Sequence, residues 1–185
     1  MSLSLPPAVA LWRSRGRIVR VRGLDVFVVD EGTGPAVLLL HGFPTSGFDW
    51  RLVADSLRRG GRRVIVPDLP GYGLSDKPRD YGYSLLEQAD VLLDLLGALG
   101  VTSLDTVAHD MGTSVTCELL ARREEGRLPL ALRSVVLTNG SVYIEMADLT
   151  PSQRVLRRPW LGPLFARLSN PAVFRAQFRR LFGRP

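Results

Sequence analysis

The stretch Thr106-Val107-Ala108-His109-Asp110-Met111-Gly112 takes the chain from a strand into a helix within three residues. Leu104 to Ala108 reads as a short strand. Met111 to Glu124 reads as a helix with Val115, Leu119 and Leu120 on its apolar face. Asp110 sits at the turn, and the small residues Ala108 and Gly112 stand two positions away on either side. A strand–turn–helix this tight crowds the backbone and requires small residues at those places. It lifts one side chain clear at the C-terminal edge of a sheet. The backbone N–H groups that open the helix then face an anionic group.

Outward from that turn, strand and helix patterns alternate. Arg17–Val21 and Asp25–Val29 read as two short strands across Gly23, followed by a turn cluster at Asp30–Pro35. Ala36–Leu40 and Arg63–Val66 are continuous apolar runs, the mark of strands buried on both faces, and Leu132–Leu137 reads as another. Trp50–Arg59 is expected to be helical, with Leu52, Val53 and Leu57 on one side. Ser84 with Glu87 forms a capping box for a helix carrying Leu85, Leu86, Val91, Leu92, Leu95, Leu96 and Leu99. The pattern predicts an α/β protein with a mostly parallel sheet covered by helices.

Composition bounds the function. The 185 residues are 45 % hydrophobic and 23 % charged, which excludes global disorder and fibrous classes. A single cysteine, Cys117, excludes a disulfide framework and a CxxC metal site; it reads as a small core residue. The net charge of +6 is concentrated in one segment: residues 149–185 hold eight arginines and no acid, so the rest of the chain is near −2. This segment reads as short helices over Pro151–Arg158, Leu161–Leu168 and Pro171–Phe182, with arginine on their outer faces. A membrane or nucleic-acid surface is the alternative use of those arginines, and salt-sensitive binding would mark it. No run of 18 apolar residues occurs, so no stable membrane insertion is expected. Residues 1–16 read as a loose arm and not as a signal peptide, with a cytoplasmic location as the default.

Three motifs together resemble the α/β-hydrolase fold family over about residues 20–140. Ala108-His109-Asp110-Met111-Gly112 is similar to its nucleophile elbow, with aspartate as the nucleophile. His41-Gly42-Phe43-Pro44 resembles its oxyanion loop. Asp68-Leu69-Pro70-Gly71-Tyr72-Gly73-Leu74-Ser75 is similar to its D-x-x-G-x-G-x-S segment. Aspartate at the elbow points to the haloalkane dehalogenase and epoxide hydrolase branch, and the HDMG and LTNG wording also resembles the mesoderm-specific-transcript-like members. The domain organisation implied is an arm over 1–16, the N-terminal part of the hydrolase core over 17–146, and the beginning of a helical cap over 147–185.

The resemblance implies two-step hydrolysis of a small apolar substrate bearing an epoxide, a halide or an ester-like group, with water as second substrate. No cofactor, metal or nucleic acid is implied, and the resemblance carries no particular oligomeric state. Asp110 attacks carbon and forms an ester. The backbone N–H groups of Phe43 and Met111 hold the oxyanion as that ester is hydrolysed. His41 orients the oxyanion loop by hydrogen bonding, the alternative being a catalytic base. Other readings of the same residues are plain: Asp110 as a helix N-cap, His109 as structural, and Asp68 with Gly71 and Gly73 as loop-shaping. The dehalogenase asparagine after HG is Phe43 here, and the tryptophan after the nucleophile is Met111.

The family also uses a late histidine and an acid that orients it. The only histidines are His41 and His109, and Asn139 stands near one known position of the acid. These departures set up the expectation that the sequence is the N-terminal part of a longer hydrolase, with the last strands missing. Leu132–Leu137 would then be an apolar sheet edge. The rival expectation is a non-catalytic remnant or interaction module.

Overall fold

The computed structural model describes residues 5–140 and 151–168. By its internal contacts the chain forms two compact units, residues 1–142 and 143–185, and each is described by itself.

The first unit begins with helix α1 (Pro7–Arg15), followed by a hairpin of β1 (Arg17–Val21) and β2 (Leu24–Glu31). Next come β3 (Ala36–Leu40), a 3-10 turn at Gly47–Trp50, α2 (Arg51–Arg59) and β4 (Arg63–Pro67). The unit closes with α3 (Leu85–Ala98), β5 (Ser103–His109), α4 (Met111–Glu124) and β6 (Ala131–Thr138). The six strands form one sheet in the order β1-β2-β4-β3-β5-β6. β1 and β2 run antiparallel, β2 is antiparallel to β4, and β4, β3, β5 and β6 are parallel.

Alternating side chains of the central strands feed two cores, one on each face. Leu38 and Leu40 of β3 join Ile65, Leu92, Leu96, Leu104, Val115 and Leu119 between the sheet and helices α3 and α4. Val37 and Leu39 join Val64, Val66, Phe27, Ala54 and Trp12 on the other face. The continuous apolar run of β3 therefore has a partner layer on both sides. The capping box at Ser84 and Glu87 forms as read, with Ser84 Oγ accepting from Glu87 N and Ser84 N donating to the Glu87 carboxylate.

Several expectations from the sequence are corrected. The segment read as a loose arm holds α1, because Pro7 presets the first helical turn and Trp12 inserts into the core, edge-on to Phe48. Arg15 fixes its far end on Glu31 and Asp55. On α2, Leu52 and Val53 are exposed, whereas Ala54 is buried and Leu57 packs against the core. Leu85 and Leu86 are likewise exposed on the first turn of α3. Strand β6 is not a buried strand. Among the described residues it is the outermost strand of the sheet, with Val136 and Leu137 49 % and 42 % exposed. Cys117 is only partly buried on α4.

The second unit contains α5 (Pro151–Leu156) and α6 (Leu161–Leu168) among its described residues. Helix α6 has the bounds read from the sequence. Helix α5 stops two residues early, since Arg158 precedes Pro159 and a residue before proline avoids the helical conformation. The third expected helix, Pro171–Phe182, lies outside the described residues. No helix among the described residues is long and apolar enough to cross a membrane.

Candidate active site at the sheet edge

Parallel pairing brings the functional motifs together. Leu40 of β3 pairs with Ala108 of β5, so the residues that leave the two strands, His41-Gly42-Phe43 and His109-Asp110-Met111, emerge side by side. Strand β4 ends at Pro67 on the same edge and delivers the Asp68–Ser75 loop beside them. Loops at the C-terminal ends of parallel strands form the natural crevice of such a sheet.

Asp110 is held in an unusual backbone state, φ 51 and ψ −119. A non-glycine residue there carries roughly 1–3 kcal/mol of strain. Neighbours on both sides hold it: its N–H donates to the Thr138 carbonyl at 3.1 Å, and its own carbonyl accepts from Thr113 N at 3.0 Å and Thr113 Oγ1 at 2.6 Å. Gly112 lets the helix start close to β3, where a Cβ would lie 2.8 Å from the carbonyl oxygens of Leu40 and His41.

The strained turn delivers the Asp110 carboxylate to two backbone donors. Phe43 N–H and Met111 N–H each donate to Oδ1 at 2.7 Å. Gly42 makes the approach possible, since a Cβ there would collide with the Asp110 side chain. Among the described residues the hydrogen bonds to this carboxylate converge on Oδ1. One carboxylate oxygen therefore caps the helix through Met111 N–H, as the cap reading expects.

His41 is 1 % exposed and engaged at both nitrogens. Leu69 N–H donates to Nε2 at 3.0 Å, so Nδ1 carries the hydrogen and donates to the Gly42 carbonyl at 2.9 Å. Burial holds its pKa below the ordinary 6.5, against the pull of the Gly42 carbonyl and the nearby carboxylates. A ring occupied in this way ties the Gly42 loop to the Asp68 loop and has no free nitrogen to act as a base. His109 lies on the strand face opposite Ala108, with Asp105 and Val107.

Asp68 organises the neighbouring loop. It is 1 % exposed; Oδ1 accepts from Gly47 N and Oδ2 from Leu74 N, each at 2.7 Å. Gly73, at φ +47, passes so close to that carboxylate that a side chain would overlap it. Ser75 Oγ donates to the Asp68 carbonyl and accepts from Phe27 N, which joins the loop to β2. Lys77, the sole lysine, donates to the carbonyls of Tyr72, Gly73 and Ser75.

Tyr72 is a site residue that the sequence reading passed over. Its hydroxyl lies 3.5 Å from Met111 Sδ, and its ring meets those of His41 and Phe43 edge-on. Burial, with the Asp110 charge adding to it, pushes the phenol's pKa up and keeps it protonated. The signal available in the sequence was an aromatic between two glycines of the Asp68–Ser75 segment. Among the described residues no group of three or more His, Cys, Asp or Glu could hold a metal ion.

A family model described as the alpha/beta hydrolase fold matches residues 35–183. The hydrolase LipZ of Mycobacterium tuberculosis, so named as a putative hydrolase, is 49 % identical over 178 residues, covering 96 % of this chain and 61 % of LipZ. The mesoderm-specific transcript homolog protein of Homo sapiens is 37 % identical over 187 residues, covering 97 % and 56 %. The crystal structure of the haloalkane dehalogenase DatA from Agrobacterium tumefaciens C58 superposes with a TM-score of 0.66 at 29 % identity, covering 82 % of this chain and 51 % of DatA. The chain thus spans between half and two thirds of the length of these relatives. With the family model matched over residues 35–183, a relative 49 % identical across nearly the whole chain and a mostly parallel sheet, the chain belongs to the alpha/beta hydrolase fold family.

Proposed function

We propose that the whole protein hydrolyses a small apolar epoxide, alkyl halide or ester-like substrate through an ester formed on Asp110. The observation that carries this reading is the convergence of Phe43 and Met111 N–H on Asp110 Oδ1. Attack by Oδ2 forms an O–C bond as the bond from carbon to the leaving group breaks. The leaving atom departs with the electron pair: as halide, as the alkoxide of an opened epoxide that takes a proton from water, or as the carboxylate of an ester cleaved at its alkyl carbon. Oδ1 then becomes the ester carbonyl oxygen. Its two donors are already placed for the negative charge that develops when water adds, which is worth more than the same contacts in water. Likeness to haloalkane dehalogenase and epoxide hydrolase relatives supports the substrate classes.

In this reading Phe43 and Met111 are the oxyanion donors and His41 is the residue that orients their loop. Residues 147–185 begin a helical cap, and the cell compartment is the cytoplasm. Both His41 nitrogens are engaged, so this reading expects the ester to form on the 185-residue chain and to accumulate there. The test is intact-mass and peptide mass spectrometry after exposure to styrene oxide or 1-bromobutane. The expected result is one adduct per chain, on Asp110, with no release of product. Absence of an adduct overturns the reading in favour of the second one, a non-catalytic module. That second reading rests on the engagement of both His41 nitrogens.

A further inference from the structure

We propose that Tyr72 is a positioning residue that braces both oxyanion donors from a loop anchored independently of Asp110. The inference rests on the Asp110 reading for its catalytic meaning, but its geometry stands by itself. Phe43 and Met111 present their N–H groups to one oxygen from different elements, the loop after β3 and the start of α4. Nothing in the sequence links those elements locally. Tyr72 touches the side chains of both. Its ring lies edge-on to Phe43 with centroids 6.3 Å apart, and its hydroxyl lies 3.5 Å from Met111 Sδ. The same ring lies edge-on to His41 at 5.3 Å, beside the imidazole that holds the Gly42 carbonyl.

The brace is itself fixed. Tyr72 N–H donates to the Leu69 carbonyl at 3.0 Å, and Leu69 N–H donates to His41 Nε2. The flanking Gly71 and Gly73 take positive φ, and Gly73 lies directly against the buried Asp68 carboxylate. Rigidity therefore passes from Asp68, through Tyr72, to the donors. Oxyanion donors act only while held near the productive geometry, and a small loosening of their support is enough to lose much of their effect. The hydroxyl faces a thioether, a weak acceptor, so its contact orients the Met111 side chain more than it binds it.

The experiment uses the full chain as wild type, Tyr72→Phe and Tyr72→Leu, with two readouts. The first is amide hydrogen exchange of Phe43 and Met111, resolved by NMR. Tyr72→Leu is expected to speed exchange at both amides about tenfold, while Leu38 and Val66 in the core stay unchanged. Tyr72→Phe keeps the ring and loses the hydroxyl, so Phe43 stays protected and Met111 alone exchanges faster. The second readout follows the styrene oxide adduct on Asp110. Hydroxylamine cleaves it to the hydroxamate and the free diol through an oxyanion on Oδ1, with no histidine needed. That cleavage is expected to slow about tenfold in Tyr72→Leu. Unchanged exchange at Phe43 and Met111 in Tyr72→Leu overturns the proposal, and so does an equal acceleration of the core amides. If the wild type takes no adduct, the Asp110 reading fails while the exchange data still decide the role of Tyr72.

Discussion

Phe43 and Asp110 are 67 positions apart in the chain, yet the backbone N–H of the first donates to the carboxylate of the second at 2.7 Å. The contact is set by two neighbouring parallel strands that end level with each other and by a glycine, Gly42, that lets the chains touch. The donor in the pair is backbone, so side-chain substitutions at Phe43 leave the hydrogen bond possible, whereas substitutions at Asp110 act on it directly.

Asp110→Asn keeps an oxygen in the place of Oδ1 and therefore keeps both acceptor contacts. The variant is expected to unfold in urea within about 1 kcal/mol of wild type. Its amide is no nucleophile, so labelling by 1-bromobutane falls by roughly 10³-fold or more. Asp110→Ala removes the acceptor and is expected to be about 1–2 kcal/mol less stable than Asp110→Asn. Equal stability of the two variants would show that the N–H contacts to Oδ1 carry no weight.

Gly42→Ala places a methyl group in the path of the Asp110 side chain, within 2.7 Å of Oδ1 and 2.9 Å of Cγ. The contact cannot relax cheaply, because Asp110 is held at its backbone by Thr113 and Thr138. A loss of about 1–3 kcal/mol is expected from overpacking, read from urea unfolding. Labelling of Asp110 by styrene oxide should fall with it. Wild-type stability together with wild-type labelling would contradict the close approach.

The elements legible in the sequence were those with a local signature. The capping box at Ser84 and Glu87, the start of α4 after Asp110 and the twice-buried run of β3 depend on residues a few positions apart. What the sequence did not show was decided by distant partners. Trp12 orders α1 only because Phe48 and the sheet receive it, and the exposure of Leu52 and Val53 follows from which side of α2 meets the sheet. Periodicity alone reads β6 as buried; its edge position follows from sheet order and was expected only through the family resemblance. At the site, the pairing of Phe43 with Met111 came from motif resemblance, while Tyr72 came only from three-dimensional contact with His41, Phe43 and Met111.

Asp68 offers a test of the loop that carries Tyr72. Its two oxygens are acceptors for Gly47 N–H and Leu74 N–H. Asp68→Ala leaves both donors without an acceptor, the Gly47 one in the interior. A destabilisation of about 2–4 kcal/mol is expected, since each stranded group forfeits roughly 1–3 kcal/mol. Thermal unfolding by circular dichroism measures it. A change below 1 kcal/mol would mean that water replaces the carboxylate and that the loop has a different anchor.

His41 gives the pH dependence its sign. Burial sets its folded pKa below the ordinary 6.5. Above that pH the ring is neutral in both states and adds no pH slope. As pH falls through 6.5 the unfolded chain takes up a proton that the folded chain refuses, because Nε2 is occupied by the Leu69 N–H and the ring is dry. Stability contributed by the neutral ring is therefore lost as pH falls from 6.5 to the folded value, and no further below it. His41→Gln removes the group and with it this part of the slope. Urea midpoints of wild type and variant, taken from about pH 7.5 down to about pH 5, are expected to converge as the pH falls. Parallel curves would mean that His41 titrates alike in both states, which a buried imidazole with both nitrogens engaged does not do.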